Sequence, residues 1–434
     1  MTEASGVIQV SRSLEGLSMY RLRQRWDQQP RVEGIPSAVG EALSAAGALA
    51  RIRPGDEIAI TAGSRGISCM PDVLRAIIAA VRRCGGEPFI FPAMGSHGGG
   101  TAEGQRALLA ELGIDEGTMG VPIRSSMEVV QIGETDDGMP VFLDAIASRA
   151  AGIIVVNRVK KHTNFDADIE SGVSKMAVIG MGKHRGAVEV HQYGNSGLRD
   201  HIPPVARVVF SRANVLAGLG LIENSRGGLA EVVGMPAGEI LSREPALLRR
   251  AKDLAPKIPF RTVNIAVVEW LGKEISGTGM DCYVIGRRRI IGEPEWPEAP
   301  QIGSLVLLDL TEASHGNALG VGLADFTTRR LVDKIDWDLL RANIMTSGNL
   351  ERGKIPLTYD TDREAVEAAA FRERAVPLDR LRVVALRDTL HLEHLLVSKA
   401  LVEEARQRED LEVLDGPMPL PLDEAGNWVS PLPY

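Results

Sequence analysis

The sequence predicts two α/β domains, each built on a mostly parallel sheet, with an active-site cleft between them. Short apolar runs, typical of buried strands, alternate along the chain with segments whose apolar residues recur at helical spacing. Gly-rich turns separate the two kinds of segment, which is the pattern of repeated strand–helix units. The length of 434 residues indicates more than one domain. Two prolines within residues 254–259 predict a linker, so we place the domains at residues 1–258 and 259–434.

The first domain is predicted to begin its sheet with the strand Glu57–Ala62, which follows the turn residues 53–56. Pro71 is tolerated in the first turn of a helix, and apolar residues between 73 and 81 recur at helical spacing. We therefore predict a helix that ends at Gly85. The further predicted elements are a strand at residues 89–91, a helix at residues 101–112 and a buried strand at residues 153–156.

The second domain shows the same alternation of apolar runs and helical spacing. Its predicted strands are residues 263–268, 305–310 and 383–386, and its predicted helices are residues 331–343 and 363–372. The tail from about residue 415 is rich in proline and is expected to lie on a surface.

The composition is that of a globular protein with a mildly acidic surface. Lysine and arginine total 49 against 57 for aspartate and glutamate, a net charge of −8 that excludes a broad basic surface for nucleic acid. Only three cysteines occur, at 69, 84 and 282, which excludes a disulfide framework and a four-cysteine metal site. The chain has no apolar run of about 18 residues and no secretion signal at its N-terminus, so we expect a cytoplasmic protein with no membrane partner.

Three polar loops that follow predicted strands are the candidates for a functional site. They are residues 62–66 (AGSRG), residues 95–101 (GSHGGGT) and residues 157–164 (NRVKKHTN). In open α/β sheets, ligands bind beyond the carboxyl ends of the strands. The three loops are therefore expected to border the ligand site.

The second loop combines three consecutive glycines, residues 98–100, with His97. Glycines let backbone N–H groups approach a ligand closely, and the helix N-terminus that follows favours an anion. The imidazole can exchange a proton near neutral pH. A tight turn with a surface histidine is the alternative, and the loop alone leaves both interpretations open.

The third loop begins a segment of positive charge. Between residues 155 and 191, six lysines and arginines oppose four aspartates and glutamates, so the balance is 6 − 4 = +2. A short basic run is common on solvated surfaces, but its position after a buried strand favours a site for a carboxylate or phosphate. Weaker candidates in the second domain are Lys273, Asp281 and His315. A solvent-exposed lysine and a turn-capping aspartate are the alternatives for the first two.

At these residues the sequence resembles the nickel-dependent lactate racemase family and its wider set of 2-hydroxyacid racemases and epimerases. The loop AMGSHGGGTAEGQ is similar to the family's Gly-x-His loop, and the histidine after VVNRVKK is similar to its second catalytic histidine. The segment SGVSKMAVIGMGKHRGAVEVH is similar to the one that carries a cofactor-linked lysine and, 191 − 175 = 16 residues later, a nickel-ligating histidine. Ala62 stands where the family has an acidic residue, so the resemblance is to a divergent homologue.

The resemblance implies a racemase or epimerase of a 2-hydroxy acid or sugar acid, in which His97 and His162 alternate as base and acid. The implied cofactor is a nickel-pincer nucleotide, a pyridinium-3,5-bisthiocarboxylate mononucleotide that holds Ni(II) and accepts a hydride from the substrate. Lys175 would carry it covalently, and His191 would ligate the nickel. Further cofactor contacts would come from Ser64, Arg65, Gly98 and Gly99. The implied partners are a small anionic substrate and, transiently, the proteins that make the cofactor.

Two other functions stay open on the sequence. A divalent-metal enzyme acting on a carboxylate substrate could use His97, His162 and His191 as three ligands with one open position, as is conventional for zinc. A non-catalytic protein could bind an anionic nucleotide or a hydroxy acid in the same loops.

Overall fold

A computed structural model describes residues 10–64, 66, 67 and 69–433. The chain divides into two compact units: residues 29–255 form one, and residues 10–28 together with residues 256–433 form the other. The division after residue 255 lies within the segment predicted as the linker. Residues 10–28 belong to the unit of the C-terminal half, whereas the sequence-based division assigned them to the first domain.

The elements are numbered here in chain order. The strands are β1 (Met19–Gln24), β2 (Glu57–Ala62), β3 (Glu87–Pro92), β4 (Val129–Glu134), β5 (Pro140–Asp144), β6 (Gly152–Arg158), β7 (Val215–Glu223), β8 (Leu229–Pro236), β9 (Thr262–Leu271), β10 (Gln301–Leu310), β11 (Phe326–Thr328), β12 (Leu357–Tyr359), β13 (Val383–Leu386), β14 (His394–Ser398) and β15 (Leu411–Met418). The α-helices are α1 (Ile35–Ala45), α2 (Met70–Arg83), α3 (Ala102–Glu111), α4 (Glu116–Met119), α5 (Val173–Lys175), α6 (Lys183–His191), α7 (Gly194–Arg212), α8 (Ile240–Leu254), α9 (Arg329–Asp333), α10 (Trp337–Ser347), α11 (Asp362–Arg372) and α12 (Lys399–Arg406). None of the helices within the described ranges is long and apolar enough to cross a membrane.

The unit of residues 29–255 is built on a five-stranded sheet in the order β3-β2-β6-β7-β8. The first four strands are parallel, and β8 is antiparallel at one edge. Along β2, Ile58 and Ile60 pack in a core with α1 and α2, whereas Ala59 packs in a second core with α7 and α8. Because alternate residues of a strand point to opposite faces, a sheet covered on both faces needs continuous apolar strands. The predicted α/β fold with a mostly parallel sheet is confirmed.

Helix α2 forms where its residues predict it. Pro71 lies in the first turn, and Val73, Ile77 and Val81 belong to its fully buried stripe. Gly85 follows the helix with a φ of +82°, the left-handed conformation that ends many helices and that glycine adopts without strain. The capping and the apolar spacing agree, so this element could be predicted from local sequence.

The second unit is built on an eight-stranded mixed sheet in the order β12-β11-β10-β9-β13-β14-β1-β15. Strands β9 to β13 form the parallel part, and β14, β1 and β15 pair antiparallel. Met19 and Leu22 of β1 are fully buried in this unit. These backbone ladders and buried side chains are the reason that residues 10–28 join the C-terminal half of the chain.

One predicted helix of the second unit differs from the structure, and the predicted tail has contacts that the sequence did not indicate. The helix predicted at residues 331–343 is interrupted, because the carboxylate of Asp336 accepts hydrogen bonds from the first backbone N–H groups of α10 and so starts a new helix. The Pro-rich tail from about residue 415 lies on the surface of the unit, as predicted, and it is also bonded to that unit. Its strand β15 pairs with β1, Trp428 Nε1 donates to Glu269 Oε1 at 2.9 Å, and Leu432 is buried.

Candidate active site

The loops that follow β3, β2 and β6 leave one edge of the parallel sheet. These three strands are adjacent and run in the same direction, so their carboxyl ends at Pro92, Ala62 and Arg158 lie side by side. Open α/β sheets bind their ligands at such an edge. The structure therefore brings together the three loops that were predicted to border the site.

A hydrogen bond joins the first two loops: Ser64 Oγ lies 2.6 Å from His97 Nδ1. The imidazole of His97 is exposed. Where Nδ1 donates to Ser64, the Nε2 atom has a lone pair and can act as a base. Where Ser64 donates to Nδ1, the Nε2 atom of the neutral ring carries a proton and can donate a hydrogen bond. The ring acts as an acid only as the imidazolium, in which Nδ1 donates to Ser64 and Nε2 carries the proton that is given away. Arg65, the predicted phosphate contact beside Ser64, lies outside the described residues.

The loop around His97 turns through residues in the left-handed conformation. Gly98 and Gly99, the predicted cofactor contacts, have φ values of +65° and +68°. Their surroundings differ. A Cβ at Gly98 would lie 2.6 Å from the backbone nitrogen of Gln105 in α3, whereas a Cβ at Gly99 would have no described atom within 4 Å. Glycine is therefore required at residue 98 by close approach as well as by conformation, and at residue 99 by conformation alone.

Substituting alanine at these two glycines separates the two effects. We expect Gly99→Ala to lower the free energy of unfolding by about 1–2 kcal/mol, the usual cost of the left-handed conformation for a residue with a Cβ. We expect Gly98→Ala to lower it by about 3 kcal/mol or more, because backbone atoms of α3 must also move. Urea unfolding of both variants measures the difference. Equal losses would mean that the close approach of the loop to α3 is relieved at no cost.

The third loop holds His162 through both its backbone and its ring. The backbone N–H of His162 donates to Glu170 Oε2 at 2.6 Å, and the N–H of Asn164 donates to the ring Nδ1 at 3.2 Å. Since Nδ1 accepts, the neutral imidazole carries its proton on Nε2. Glu170 is buried, and Lys252 of α8 lies 2.7 Å from its Oε1. Burial raises the pKa of Glu170, and the ammonium of Lys252 opposes that rise.

Part of the predicted positive charge around this loop is neutralised by neighbouring carboxylates. Arg158 forms an ion pair with Glu223. Lys161 Nζ lies 3.9 Å from Asp166 Oδ1. Glu223 lies on β7, outside the segment whose charges were counted, so it lowers the local net charge below +2. An anionic ligand would therefore meet less positive charge than the sequence indicates.

Lys175 ends the single turn of α5, which a buried carboxyl group caps. Ser174 donates to Glu244 Oε2 through its backbone N–H, at 2.9 Å, and also through its hydroxyl. Burial raises the pKa of Glu244, which belongs to α8. A π-helical turn, Met176–Gly180, follows Lys175 and packs against the first two loops. Single π-turns of this kind are frequent at functional sites.

His191 ends α6 with one ring nitrogen already engaged. Its Nδ1 lies 2.7 Å from the carbonyl oxygen of Ala187, so Nδ1 carries the proton and Nε2 the lone pair that a metal needs. The His191 residue is exposed at the surface, but desolvation of its ring by neighbouring atoms lowers its pKa, the hydrogen bond with Ala187 opposes that effect, and the nearby charge of Lys175 adds to it. Because the pKa is lowered, the imidazole stays neutral to a lower pH than an ordinary histidine does. A neutral imidazole is a nitrogen donor that Ni(II) accepts, and Lys175 lies near enough for its charge to act on the ring. The two residues therefore fit a lysine-tethered nickel nucleotide.

A protein-only metal site is not formed by these histidines. Across residues 10–64, 66, 67 and 69–433, no group of three or more His, Cys, Asp or Glu side chains is placed to hold a metal ion. His97, His162 and His191 therefore do not make the three-histidine site considered from the sequence.

The candidates of the second unit have local structural roles. Asp281 Oδ1 accepts from the backbone N–H of Tyr283 at 2.9 Å, which is the turn-capping alternative. Lys273 Nζ donates to the carbonyl of Gly277 at 2.6 Å. His315 is exposed in a turn, with a φ of +47°. The predicted cleft between the two domains stays a prediction.

Sequence reasoning missed a set of buried polar residues behind the loops. They are Gln105, Asp144, Glu170, Lys183 and Glu244. Each is flanked by residues typical of a helix, a strand end or a loop, so a pattern of apolar spacing treats it as surface. No sequence pattern indicated that these residues are buried, because none of them extends an apolar stripe.

No family model matches this chain, and no curated protein matches it in sequence. Among solved structures, the chain is similar to that of the lactate racemase apoprotein from Thermoanaerobacterium thermosaccharolyticum. The identity is 15%, the TM-score is 0.47, and the likeness covers 83% of this chain and 93% of that chain. A likeness of this degree assigns neither a family nor an activity to the chain.

Proposed function

We propose that this protein is a racemase or epimerase that inverts C2 of a 2-hydroxy acid or sugar acid with a nickel-pincer nucleotide. The observation that carries the proposal is the hydrogen bonding of two histidines on loops at one sheet edge. His97 Nδ1 is bonded to Ser64, and His162 Nδ1 accepts from Asn164. With both Nδ1 atoms engaged, proton exchange falls to the two Nε2 atoms. Two groups that trade one proton are what inversion in both directions requires.

Six residues would hold the proposed cofactor. Lys175 would attach the nucleotide, His191 would offer its Nε2 lone pair to nickel, and the loops with Ser64, Arg65, Gly98 and Gly99 would contact its phosphate. When bound, the nucleotide supplies a hydride acceptor for the substrate's C2. The fixed Nδ1 bond of His191 orients the ligand, as hydrogen bonds at the far nitrogen do in metal sites.

The histidines would handle the hydroxyl proton. With Nδ1 donating to Ser64, His97 Nε2 can take the proton from the hydroxyl of one substrate configuration. To give a proton to the carbonyl oxygen as the other configuration forms, His162 would act as the imidazolium, which carries a proton on each ring nitrogen. The 3.2 Å contact of the Asn164 N–H with Nδ1 would open in that step, because a protonated Nδ1 no longer accepts. The roles exchange in the reverse direction, and the two Nε2 atoms begin the next turnover in opposite protonation states.

A mass and metal analysis tests the proposal. The chain is produced together with the cofactor-making proteins, and the peptide with Lys175 is examined by mass spectrometry alongside nickel content. We expect one adduct and about one nickel per chain, no adduct in Lys175→Ala, and an adduct with at least about 10-fold weaker nickel binding in His191→Ala. Lys354→Ala and His315→Ala, both at exposed positions, are the matched controls.

Activity is then measured by chiral chromatography on a panel of 2-hydroxy acids and sugar acids carrying deuterium at C2. Hydride transfer predicts that the inverted product keeps the label, and loss of label to water would contradict the mechanism. Absence of both adduct and nickel would contradict the cofactor. Stabilisation by a hydroxy acid without turnover, unchanged when His97 and His162 are both replaced, would favour a binding protein instead.

A further inference from the structure

A fully buried lysine lies beneath the Gly-rich loop. Lys183, the first residue of α6, has no exposed surface and adopts a φ of +56°. Lysine is almost never fully buried unless it is paired, and positive φ is uncommon for residues other than glycine. A residue that bears both costs needs strong compensating contacts, and the Nζ atom of Lys183 has specific polar contacts.

Three acceptors surround the ammonium of Lys183. Its Nζ donates to the carbonyl of Pro92, at the end of β3, and to Gln105 Oε1, each at 2.8 Å. It also lies 3.5 Å from Asp144 Oδ2. Burial lowers the pKa of Lys183 and raises the pKa of Asp144, and each charge opposes the effect of burial on the other. Two hydrogen bonds to neutral oxygens and a carboxylate oxygen at 3.5 Å hold the Nζ atom in one position.

The partner Gln105 connects this lysine to the loop of His97. Gln105 is fully buried in α3, and its Nε2 donates to the carbonyls of Gly95, at 2.9 Å, and His97, at 3.2 Å. Only one orientation of the amide serves both sides, because the oxygen must face the ammonium while the NH₂ group faces two carbonyls. Lys183 thereby selects the orientation in which Gln105 holds the loop.

We infer that Lys183, acting through Gln105, is a positioning residue that sets the imidazole of His97 for its hydrogen bond with Ser64. The catalytic importance of this inference rests on the proposed function, but the positioning itself does not. Because Lys183 begins the helix that ends at His191, it also joins the loop of the proposed base to the helix of the proposed nickel ligand. A shift of about 1 Å in such a group lowers rates by as much as 100-fold.

The test reads the position of His97 in the full chain without cofactor, so it is independent of the proposed activity. Selective ¹⁵N labelling of histidine gives the chemical shift of His97 Nδ1, assigned with His97→Gln. Ser64→Ala provides the value for a ring that has lost the hydrogen bond. We expect Gln105→Met to move the His97 signal at least half-way to that value and to leave the signals of His162 and His191 unchanged.

Two further variants separate positioning from folding. Gln105→Glu can still accept from Lys183 but cannot donate to the loop carbonyls, so it should move the His97 signal as Gln105→Met does. Lys183→Met combined with Asp144→Asn removes the buried charges together and should move it as well. Gln192→Met, at an exposed residue of the same region, is the matched control and should leave it in place.

A second readout uses the cofactor-loaded protein. We expect Gln105→Met to lower kcat by about 10- to 100-fold with little change in KM. If Gln105→Met and Gln105→Glu both fold, by circular dichroism, and keep the wild-type His97 shift, the inference is overturned and the network is only structural. If the shift moves but no racemase activity exists in any form, the proposed function fails and the positioning stands.

Discussion

Replacing His97 with glutamine is expected to lower kcat for racemisation by about 10²- to 10⁴-fold, the usual contribution of a positioned acid–base group. The ring is exposed at the site edge, so the free energy of unfolding should change by less than about 1 kcal/mol. Glutamine keeps polarity and size but cannot exchange a proton. Chiral chromatography in both directions, together with urea unfolding, measures the two quantities on the same preparation.

Matched variants make this result specific. His162→Gln should cause a loss of the same order, since inversion needs both proton carriers. His184→Gln, at an exposed histidine that directly follows Lys183 in α6, should leave kcat within about twofold if only His97 and His162 act. The kcat of Ser64→Ala should lie between those of His97→Gln and His184→Gln, because this variant loses the orienting hydrogen bond but keeps the imidazole. A His97→Gln variant with nearly full activity would exclude the residue as the base.

A large loss of stability is expected from Lys252→Met, which leaves the carboxylate of Glu170 buried without its cation. Lys252 Nζ lies 2.7 Å from Glu170 Oε1, and the Glu170 side chain has no exposed surface. Breaking a buried pair by removing one partner costs about 3 kcal/mol or more. Urea unfolding at pH 8 measures the loss. The double variant Lys252→Met with Glu170→Gln should recover part of it, because no charge then remains to be buried.

The loss should also depend on pH in a defined direction. Without Lys252, burial and the neighbouring Asp166 raise the pKa of Glu170, and the hydrogen bond from the His162 backbone opposes them. The pKa in the folded state therefore rises further above the unfolded value. A raised folded pKa means that the stability is retained below the unfolded pKa and is lost as pH rises through the folded pKa. The Lys252→Met variant should therefore approach the wild type near pH 4–5 and be weakest near pH 8. A deficit that is constant with pH would exclude Glu170 as its source.

Helix α8 connects these stability effects to the candidate site. Its Glu244 caps the turn that carries Lys175, and its Lys252 holds Glu170, which bonds the backbone of His162. One helix thus supports both the proposed cofactor attachment and one proposed proton carrier. We expect variants of these residues to affect activity through position as well as through stability.

Much of the fold could be predicted from the chain because it depends on local patterns. The stripe of α2, the continuous apolar run of β6 and the Gly-rich loop before α3 each carry their signal within a few residues. Parallel strands then place the loops that follow them at one edge without further information. For this reason, the loops that carry His97 and His162 could be predicted to border one site.

The contacts between distant parts of the chain could be seen only in the tertiary structure. Strand β1 pairs with β14 and β15, so residues near the start belong with the end of the chain. Gln105 bonds to Lys183, which lies 78 residues later in the chain, and Glu170 pairs with Lys252, which lies 82 residues later. A buried charge is tolerated only when a partner is already in place, and no local pattern encodes that partner. Local sequence patterns were therefore enough to predict a mostly parallel sheet, the loops that follow its strands and the candidate histidines. The buried groups that hold those histidines in position depend on packing and could not be predicted.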